Sequence, residues 1–162
     1  MPGRLRSVWS DERGFSLAEL MLVILIMVIV FGIASPTFFG AIESRRVDSA
    51  TNQVVGDLRL AQSQATNRLI DSSFEVLSAN PSTYTIEVDG NTETRTLPGD
   101  DQGTPKTKIV AATDITITFH SDGSAEIDPA GNITVTTTDD DPDDPAHTIQ
   151  INPTTSRVRI VN

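Results

Sequence analysis

The sequence predicts an α+β fold in which one long N-terminal helix precedes a head of antiparallel strands. No charged residue occurs between Leu20 and Ile42, a helical repeat of apolar residues follows as far as Ile70, and apolar and polar residues alternate beyond residue 72. The helical and the strand-like patterns therefore occupy separate parts of the chain, which is the order typical of α+β proteins. With 162 residues, the chain has room for one ordinary domain and an appendage.

The charge-free segment is long enough to cross a membrane. At about 1.5 Å per residue it reaches about 35 Å, against a bilayer core of about 30 Å. Its first part, Leu20–Ala34, is almost entirely large and aliphatic, so a helix here is apolar on every face and exceeds what a small head could bury. Arg4, Arg6 and Arg13 precede it and favour a cytoplasmic N-terminus, which places the rest of the chain on the other side of the membrane.

The next segment has the pattern of an amphipathic helix. Apolar residues recur there at spacings of three and four, which predicts one buried face against a sheet and a solvated back. The predicted buried face consists of Val47, Ala50, Val54, Leu58, Ala61, Ala65 and Leu69.

Beyond residue 72 the apolar residues alternate with polar ones, as in half-buried antiparallel strands. The predicted strands are centred on Phe74–Val76, Tyr84–Val88, Ile115–Phe119, Ile133–Val135, Ile149–Ile151 and Val158–Ile160. Turn signals separate them at Asn80-Pro81, Asp89-Gly90, Asp122-Gly123, Gly131-Asn132 and Asn152-Pro153. The segment from Pro98 to Pro105 is too polar and turn-rich to assign.

Composition argues against an enzyme. The chain has no cysteine, and its only histidines are His120 and His147, which excludes thiolate chemistry and leaves few imidazoles for a metal site or a triad. It also lacks a phosphate-binding glycine loop, a nucleophile elbow and an HExxH sequence. A net charge of −10 opposes broad attraction to nucleic acid. An anchored enzyme or binding domain with an uncleaved N-terminus stays open as an alternative.

The segment Arg13–Leu20, RGFSLAEL, runs directly into the apolar helix. It resembles the class III signal of type IV pilins and type II secretion pseudopilins. The resemblance implies that a prepilin peptidase removes the leader, residues 1–14, by cutting between Gly14 and Phe15, and that Phe15 becomes the N-methylated terminus. It further implies a membrane-spanning and filament-core helix over residues 15–41, an amphipathic helix over 42–71 and a β-rich periplasmic head over 72–162.

Two residues of the helix have roles implied by the same resemblance. Glu19 is the fifth residue of the mature chain and can pair with the Phe15 amine of a neighbouring subunit, which penalises a wrong axial register. Pro36 removes a backbone donor within the predicted helix, so a kink is expected there. A plain loop after a membrane anchor is the alternative at Pro36.

Later segments resemble the GspH/FimT group of minor pseudopilins and pilins. They are Leu58–Arg68 (LRLAQSQATNR), Thr118–Gly123 (TFHSDG) and Ser156–Ile160 (SRVRI), in which Ser156 replaces an expected glycine. The expected function is that of a minor pseudopilin, a structural subunit of a type II secretion pseudopilus. A minor type IV pilin that binds DNA during uptake, or that supports pilus assembly, is the alternative.

The resemblance also implies the location and the partners. The chain is expected in the bacterial inner membrane as a single-pass protein with a periplasmic C-terminal domain, and then in a periplasmic or surface filament. The expected partners are other pilin-like subunits, the prepilin peptidase, the inner-membrane assembly platform and, before assembly, membrane lipid. DNA is a partner only in the alternative function.

Two charged features of the head are candidate sites. Arg157 and Arg159 project from one face of a strand; they are the DNA contacts of the alternative, whereas pairing with nearby carboxylates is the simpler interpretation. The second feature is an acidic run that is either a solvated loop, the favoured interpretation, or a calcium site, since calcium takes clustered carboxylate oxygens. Its carboxylates are Asp139, Asp140, Asp141, Asp143 and Asp144. No other cofactor is expected.

Overall fold

The computed structural model describes residues 15–100, 102–139 and 144–161, with only the backbone for residues 35–37. The chain divides into two compact units, Met1–Phe39 and Gly40–Asn162. One helix, α1 (Leu17–Arg68), supplies residues to both units. The predicted α+β class is confirmed, because a long N-terminal helix is followed by antiparallel sheets.

The second unit contains two antiparallel sheets. The strands are β1 (Ser72–Val76), β2 (Thr83–Val88), β3 (Asn91–Thr96), β4 (Thr107–Ile109), β5 (Ile115–Phe119), β6 (Ala125–Asp128), β7 (Ile133–Thr137), β8 (Ala146–Ile151) and β9 (Val158–Val161). One sheet has the order β3-β2-β1-β5-β6 and the other has the order β4-β7-β8-β9. Neighbouring strands pair antiparallel in both.

The C-terminal part of α1 supplies the helical half of the core. Six of the seven residues of the predicted apolar stripe are buried, from Val47 to Ala65. The five from Ala50 to Ala65 share one cluster with apolar side chains of the strands, among which Phe74 and Tyr84 stack with ring centroids 4.8 Å apart. The alternation of the strands is what allows this, since every second side chain of β1, β5 and β7 is buried.

The seventh residue of the stripe, Leu69, lies outside the core. The helix ends at Arg68, and Leu69 takes a left-handed backbone conformation with φ of 56°. The Ile70 N–H then donates to the Ala65 carbonyl at 3.3 Å, which is the bond of a Schellman cap. Because the chain reverses at Leu69, its side chain is 75% exposed. The apolar repeat in the sequence therefore extends one residue beyond the C-terminal end of the helix.

Three strands were not predicted from the sequence: β3, β4 and β6. Strand β3, with the sequence NTETRT, contains no apolar residue and lies at the edge of its sheet with all but one side chain exposed. Strand β4 has only three residues and β6 has four. An edge strand such as β3, which buries no side chain, has no need of an alternating pattern. Strands of three or four residues, such as β4 and β6, are too short for a period to be recognised.

Two of the predicted turns are hairpin turns with left-handed residues. Asp89 and Gly90 have φ of 56° and 73° between β2 and β3, as in a type I′ turn. Gly123 has φ of 87° between β5 and β6. The polar segment that the sequence left unassigned is a turn held by Asp100, whose carboxylate accepts the backbone N–H of Gln102 at 3.0 Å and of Thr104 at 2.9 Å.

Candidate functional site

The start of the helix is built by its own sequence. Ser16 is the N-cap, because its hydroxyl oxygen accepts the Glu19 backbone N–H at 3.2 Å and its carbonyl accepts the Leu20 N–H at 3.1 Å. Ser16 and Glu19 are spaced as in a capping box, a signal that the sequence analysis passed over. Gly14, the residue before the expected cleavage point, lies outside the described residues, whereas Phe15 is 81% exposed.

The side chains of the first unit are uncovered. The most apolar window of the helix has a mean hydropathy of 2.9 and none of it is buried. The large apolar residues between Phe15 and Ile33 are each at least 44% exposed. By length and composition this helix can cross a membrane, although a signal sequence would have the same properties. A helix that is apolar on all sides needs lipid or other helices around it.

Among the described residues before Gly40, Glu19 is the only one with a charged side chain, and it is exposed. It lies in the first turn of α1, where a carboxylate is favoured by the helix dipole. No described side chain pairs with it. The backbone of α1 is helical through Pro36; the kink expected there stays a prediction.

At one end of the second sheet, Arg157 and Arg159 flank the buried Val158 and are both exposed. They line one cleft of about 620 Å³ together with the amide side chains of Asn132, Gln150 and Asn152. Arg159 donates to the Gln150 carbonyl oxygen, with Nη2 at 2.7 Å and Nε at 3.2 Å. The structure therefore brings the two predicted arginines together.

A third arginine, which the sequence analysis did not single out, borders the same end. The Arg59 Nη2 atom of α1 donates to the Val158 carbonyl at 3.4 Å, and Arg59 and Arg157 line a second cleft of about 440 Å³. Among the described residues, none of the three guanidinium groups has a carboxylate partner. The interpretation that Arg157 and Arg159 pair with nearby carboxylates thus finds no support in this part of the chain. We call Arg59, Arg157 and Arg159 the arginine cluster.

The loop before β9 is shaped by Ser156. This residue is fully buried and has φ of 51°, in the left-handed region. Its hydroxyl donates to the Gly123 carbonyl at 2.7 Å, and the nearby Ala125 N–H donates to the Pro153 carbonyl at 2.7 Å. These bonds join the β5–β6 turn to the β8–β9 loop and so fix where Arg157 leaves the loop.

The acidic run is described only in part. Asp140, Asp141 and Asp143 lie outside the described residues, while the Asp144 carboxylate accepts a hydrogen bond from the Thr137 hydroxyl. Within the described ranges no group of three or more histidine or acidic residues could hold a metal ion. Calcium binding by the run stays a prediction.

Each histidine pairs with a carboxylate: one carboxylate lies on the helix and the other follows its C-terminal end. The His120 Nδ1 atom lies 3.0 Å from Asp71, and the His147 Nε2 atom lies 2.7 Å from Asp48. The hydrogen bond from His120, together with one from the Ser121 N–H, lowers the pKa of Asp71 below its ordinary value. Each pair joins the helical side of the head to a strand or its adjoining loop.

Asp57 forms a buried polar link between helix and sheet. Its carboxylate accepts the Tyr84 hydroxyl at 2.5 Å and Nη1 of Arg95 at 2.8 Å. Burial, and then the hydrogen bond to Asp57, raise the pKa of Tyr84 well above its ordinary value, so the phenol stays a donor. The link connects α1 to β2 and β3 and has the satisfied partners of a structural network.

Comparison with known proteins agrees with these features. Residues 9–35 match the prokaryotic N-terminal methylation motif, and residues 50–155 match the family described as type II transport protein GspH. No curated protein sequence is similar enough to this chain to count as a relative.

Two solved structures resemble the chain, and both are crystal forms of the type IV minor pilin FimU of Pseudomonas aeruginosa. The form in space group P21 has a TM-score of 0.50 at 17% identity and covers 73% of this chain and 90% of that chain. The form in P65 has a TM-score of 0.47 at 20% identity, with 71% and 92% covered. At such identity the first likeness supports the pilin-like fold alone. Since the GspH match spans more than half of the sequence and follows an N-terminal methylation motif, the chain belongs to the GspH family of pilin-like proteins.

Proposed function

We propose that this protein is a minor pseudopilin, a structural subunit of a type II secretion pseudopilus that supports protein export across the outer membrane. Members of the family are structural subunits and not enzymes, and they form filaments with other pilin-like subunits. One observation carries the proposal for this chain: an apolar helix without burial begins within residues 9–35, the segment that matches the N-terminal methylation motif. Such a helix can exchange lipid for neighbouring helices without exposing apolar surface to water.

The proposed mechanism is assembly from the membrane. A prepilin peptidase cuts between Gly14 and Phe15 and methylates Phe15, and the processed chain waits in the inner membrane with its head in the periplasm. An inner-membrane assembly platform then moves the helix into a filament of pilin-like subunits. Glu19 supports this account because it is exposed and has no partner among the described side chains, which leaves its carboxylate available to a neighbouring Phe15 amine.

A Glu19→Val variant tests the register. An unpaired Phe15 amine within an apolar bundle is costly, so we expect incorporation into filaments to fall by about ten-fold or more. The amount in the membrane should not change, because valine is more apolar than glutamate. Glu43→Val on the same helix is the matched control and should incorporate normally. Normal incorporation of the Glu19 variant would refute the register role.

Deletion of the gene in the native host separates a secretion role from a pilus role. Under the proposal, proteins that cross the outer membrane accumulate in the periplasm while surface pili remain. Loss of pili with normal export would assign the protein to the pilus instead.

A minor type IV pilin that binds DNA during uptake is the second candidate. The observation that favours it is the arginine cluster, which has no carboxylate partner in the described part of the chain. Three cations neutralise few phosphates, and the net charge of −10 opposes the rest of a duplex. Replacing Arg157 and Arg159 with alanine should abolish DNA retention if this function is correct; wild-type protein that does not retain DNA would end it.

A further inference from the structure

Strand β3 differs from the other edge strands in what lies on its outer side. The two sheets have four edge strands, β3, β4, β6 and β9. In β4, the Ile109 N–H donates to the Pro81 carbonyl at 2.8 Å. In β6, the Ala125 N–H donates to the Pro153 carbonyl at 2.7 Å. In β9, the outer side is covered by Arg59 through its bond at 3.4 Å. Each of these three edges is therefore closed in part by another segment of the same chain.

The backbone groups on the outer side of β3 follow from its pairing with β2. The Leu97 N–H donates to the Ser82 carbonyl at 2.9 Å, and hydrogen-bonded pairs occur at every second residue of an antiparallel ladder. The residues whose N–H and C=O groups point away from β2 are therefore Thr92, Thr94 and Thr96. The Thr96 carbonyl accepts Nε2 of Gln53 at 3.2 Å, as this direction requires. Among the described residues, the outer groups of Thr92 and Thr94 have no partner.

An open edge of this length can bind a further strand. Strand β3 has six residues, contains no proline and exposes all but one of its side chains. A row of unpaired N–H and C=O groups is a template for a strand of another chain, and threonine favours extended backbone. Charge restricts which strand fits, because the side chains of Glu93 and Arg95 are 66% and 33% exposed.

The sequence of β3, NTETRT, is complementary to itself in one antiparallel register. When two copies are centred on Thr94, each Glu93 lies opposite Arg95 of the other copy, and each Thr92 lies opposite Thr96. The outer N–H and C=O groups of the threonines then face each other. Centring the pair on Glu93 or on Arg95 also aligns these groups, but it places like charges directly opposite, which is destabilising. Charge therefore selects the Thr94 register from those that the hydrogen bonds permit.

We infer that β3 binds β3 of a second copy of this chain, antiparallel and centred on Thr94. The contact is isologous, so it closes as a dimer in which the two five-stranded sheets become continuous. It goes beyond the proposed function, because it assigns a partner to the head and not to the apolar helix.

The geometry of this pair differs from that of neighbours in a filament. Helix α1 lies along the five-stranded sheet, with the Ala61 carbonyl at Ser72 and the Gln53 amide at Thr96. The twofold axis of an antiparallel strand pair is perpendicular to the sheet, so this part of α1 runs in opposite directions in the two heads. Subunits along one helical filament have their helices parallel. The β3 pair therefore forms between chains outside a filament and must separate before the two become neighbours within one.

Cysteine cross-linking tests the register, since the chain has no cysteine. The full-length Thr94→Cys chain is oxidised with diamide in detergent micelles. The two sulfurs lie on opposed residues with Cα atoms about 5.5 Å apart, so we expect a disulfide dimer to form about ten-fold faster than with Ser63→Cys, an exposed position on α1. Thr92→Cys alone should not cross-link above that control, because its two copies are about 14 Å apart in this register. A mixture of Thr92→Cys and Thr96→Cys chains should give the mixed dimer in excess over both homodimers.

Charge reversal tests the pairing of Glu93 with Arg95. Glu93→Arg in the Thr94→Cys chain places two cations opposite each other at both ends of the contact, so we expect about ten-fold slower cross-linking at low salt and partial recovery in about 0.5 M sodium chloride. Glu87→Arg, the same charge change one strand further from the edge, is the matched control and should have no effect. Recovery in salt is a result that misfolding of the variant cannot produce.

Several outcomes would overturn the inference. Thr94→Cys no faster than Ser63→Cys, Thr92→Cys as fast as Thr94→Cys, or indifference to the Glu93 charge excludes the pair. A cross-link in host membranes to a different protein alone assigns the edge to that protein. Disulfide-linked Thr94→Cys dimers within filaments would refute the placement of the pair outside them. Because cross-linking in micelles needs no assembly, a chain that enters filaments without cross-linking refutes this contact alone, whereas a chain that cross-links but never enters filaments refutes the proposed function alone.

Discussion

At the scale of single residues, Ser156 shows how one side chain can occupy a position that favours glycine. The closing strand of the GspH/FimT group has a glycine where this chain has Ser156, and the structure supplies the physical reason for that preference: φ here is 51°. The left-handed conformation costs free energy for serine, and the hydrogen bond from its hydroxyl to the Gly123 carbonyl at 2.7 Å offsets that cost. Compared with glycine, serine at this position has a less favourable backbone conformation but adds a hydrogen bond between two loops.

Two variants of Ser156 separate the bond from the backbone conformation. Ser156→Ala loses the bond and keeps the strain, so we expect it to lower the free energy of unfolding by about 1–3 kcal/mol. Ser156→Gly loses the same bond but relieves the strain, and should be about 1 kcal/mol more stable than the alanine variant. Thermal unfolding of the full chain in detergent, followed by the circular dichroism of the sheets, measures both. A glycine variant less stable than the alanine variant would contradict this account.

At the scale of elements, the sequence predicts those parts whose burial follows a period. The stripe from Val47 to Ala65 and the alternation in β1, β5 and β7 are both confirmed, since each element has one face in the core. Strand β3 could not be predicted in this way, because an edge strand with exposed threonine, asparagine and glutamate carries no alternation. The Asp89-Gly90 turn was the available signal, as this pair is typical of a two-residue hairpin and implies a returning strand.

The residues of the candidate site also differ in whether a local sequence pattern could predict them. Gly14, Phe15 and Glu19 could be proposed from sequence, because the signal is a contiguous motif whose parts need no fold to bring them together. Arg59 could not, since it lies on a helix far along the chain from Arg157, and only the packing of α1 beside β9 places its guanidinium at the Val158 carbonyl. Clusters formed by tertiary contact leave no local pattern to detect.

The turns of the head predict its response to acid. The carboxyls of Asp114 and Asp122 have pKa values below the ordinary 3.8, chiefly because the hydroxyls, and then the backbone N–H groups, of Ser78 and Ser124 donate to them. A lowered pKa in the folded state means that the stabilisation is complete above about pH 4 and is lost as the pH falls through the lowered values. The melting temperature of the head should therefore be flat near pH 5 and decline below pH 4.

Asparagine variants test which turns are responsible. Asp114→Asn and Asp122→Asn should each reduce the decline of the melting temperature between about pH 4 and pH 2, because an amide does not titrate there. Glu87→Gln is the matched control, because the Glu87 side chain is exposed on β2 and forms no hydrogen bond among the described residues. An unchanged decline in both asparagine variants would show that acid acts elsewhere in the head.

At the scale of the whole molecule, the two units differ in what they need from their surroundings. The second unit closes its own core, with Phe74, Tyr84 and Phe119 at most 1% exposed. The apolar side chains of the first unit are not buried against other described parts of the chain. Hydrogen bonds within the helix satisfy its backbone in lipid and in a helix bundle alike. The environment of the first unit can therefore change during assembly while the fold of the head stays the same.

Whether the first unit can change its environment in this way depends on processing at the N-terminus. The methylation motif over residues 9–35 predicts that protein recovered from host membranes begins at N-methylated Phe15, which intact mass and N-terminal fragment ions would show. Gly14→Glu should retain the leader and remain in the membrane, because a large charged side chain at the cleavage point obstructs the peptidase, whereas Gly3→Glu within the leader should be processed normally. A retained leader keeps Phe15 in an internal peptide bond, and without a free amine there Glu19 of the next subunit has no cation to meet, so the Gly14 variant should be absent from filaments. Recovery of the wild-type chain with its leader attached, or cut after the apolar helix, would rule out assembly through this helix and leave an anchored or released β-rich domain.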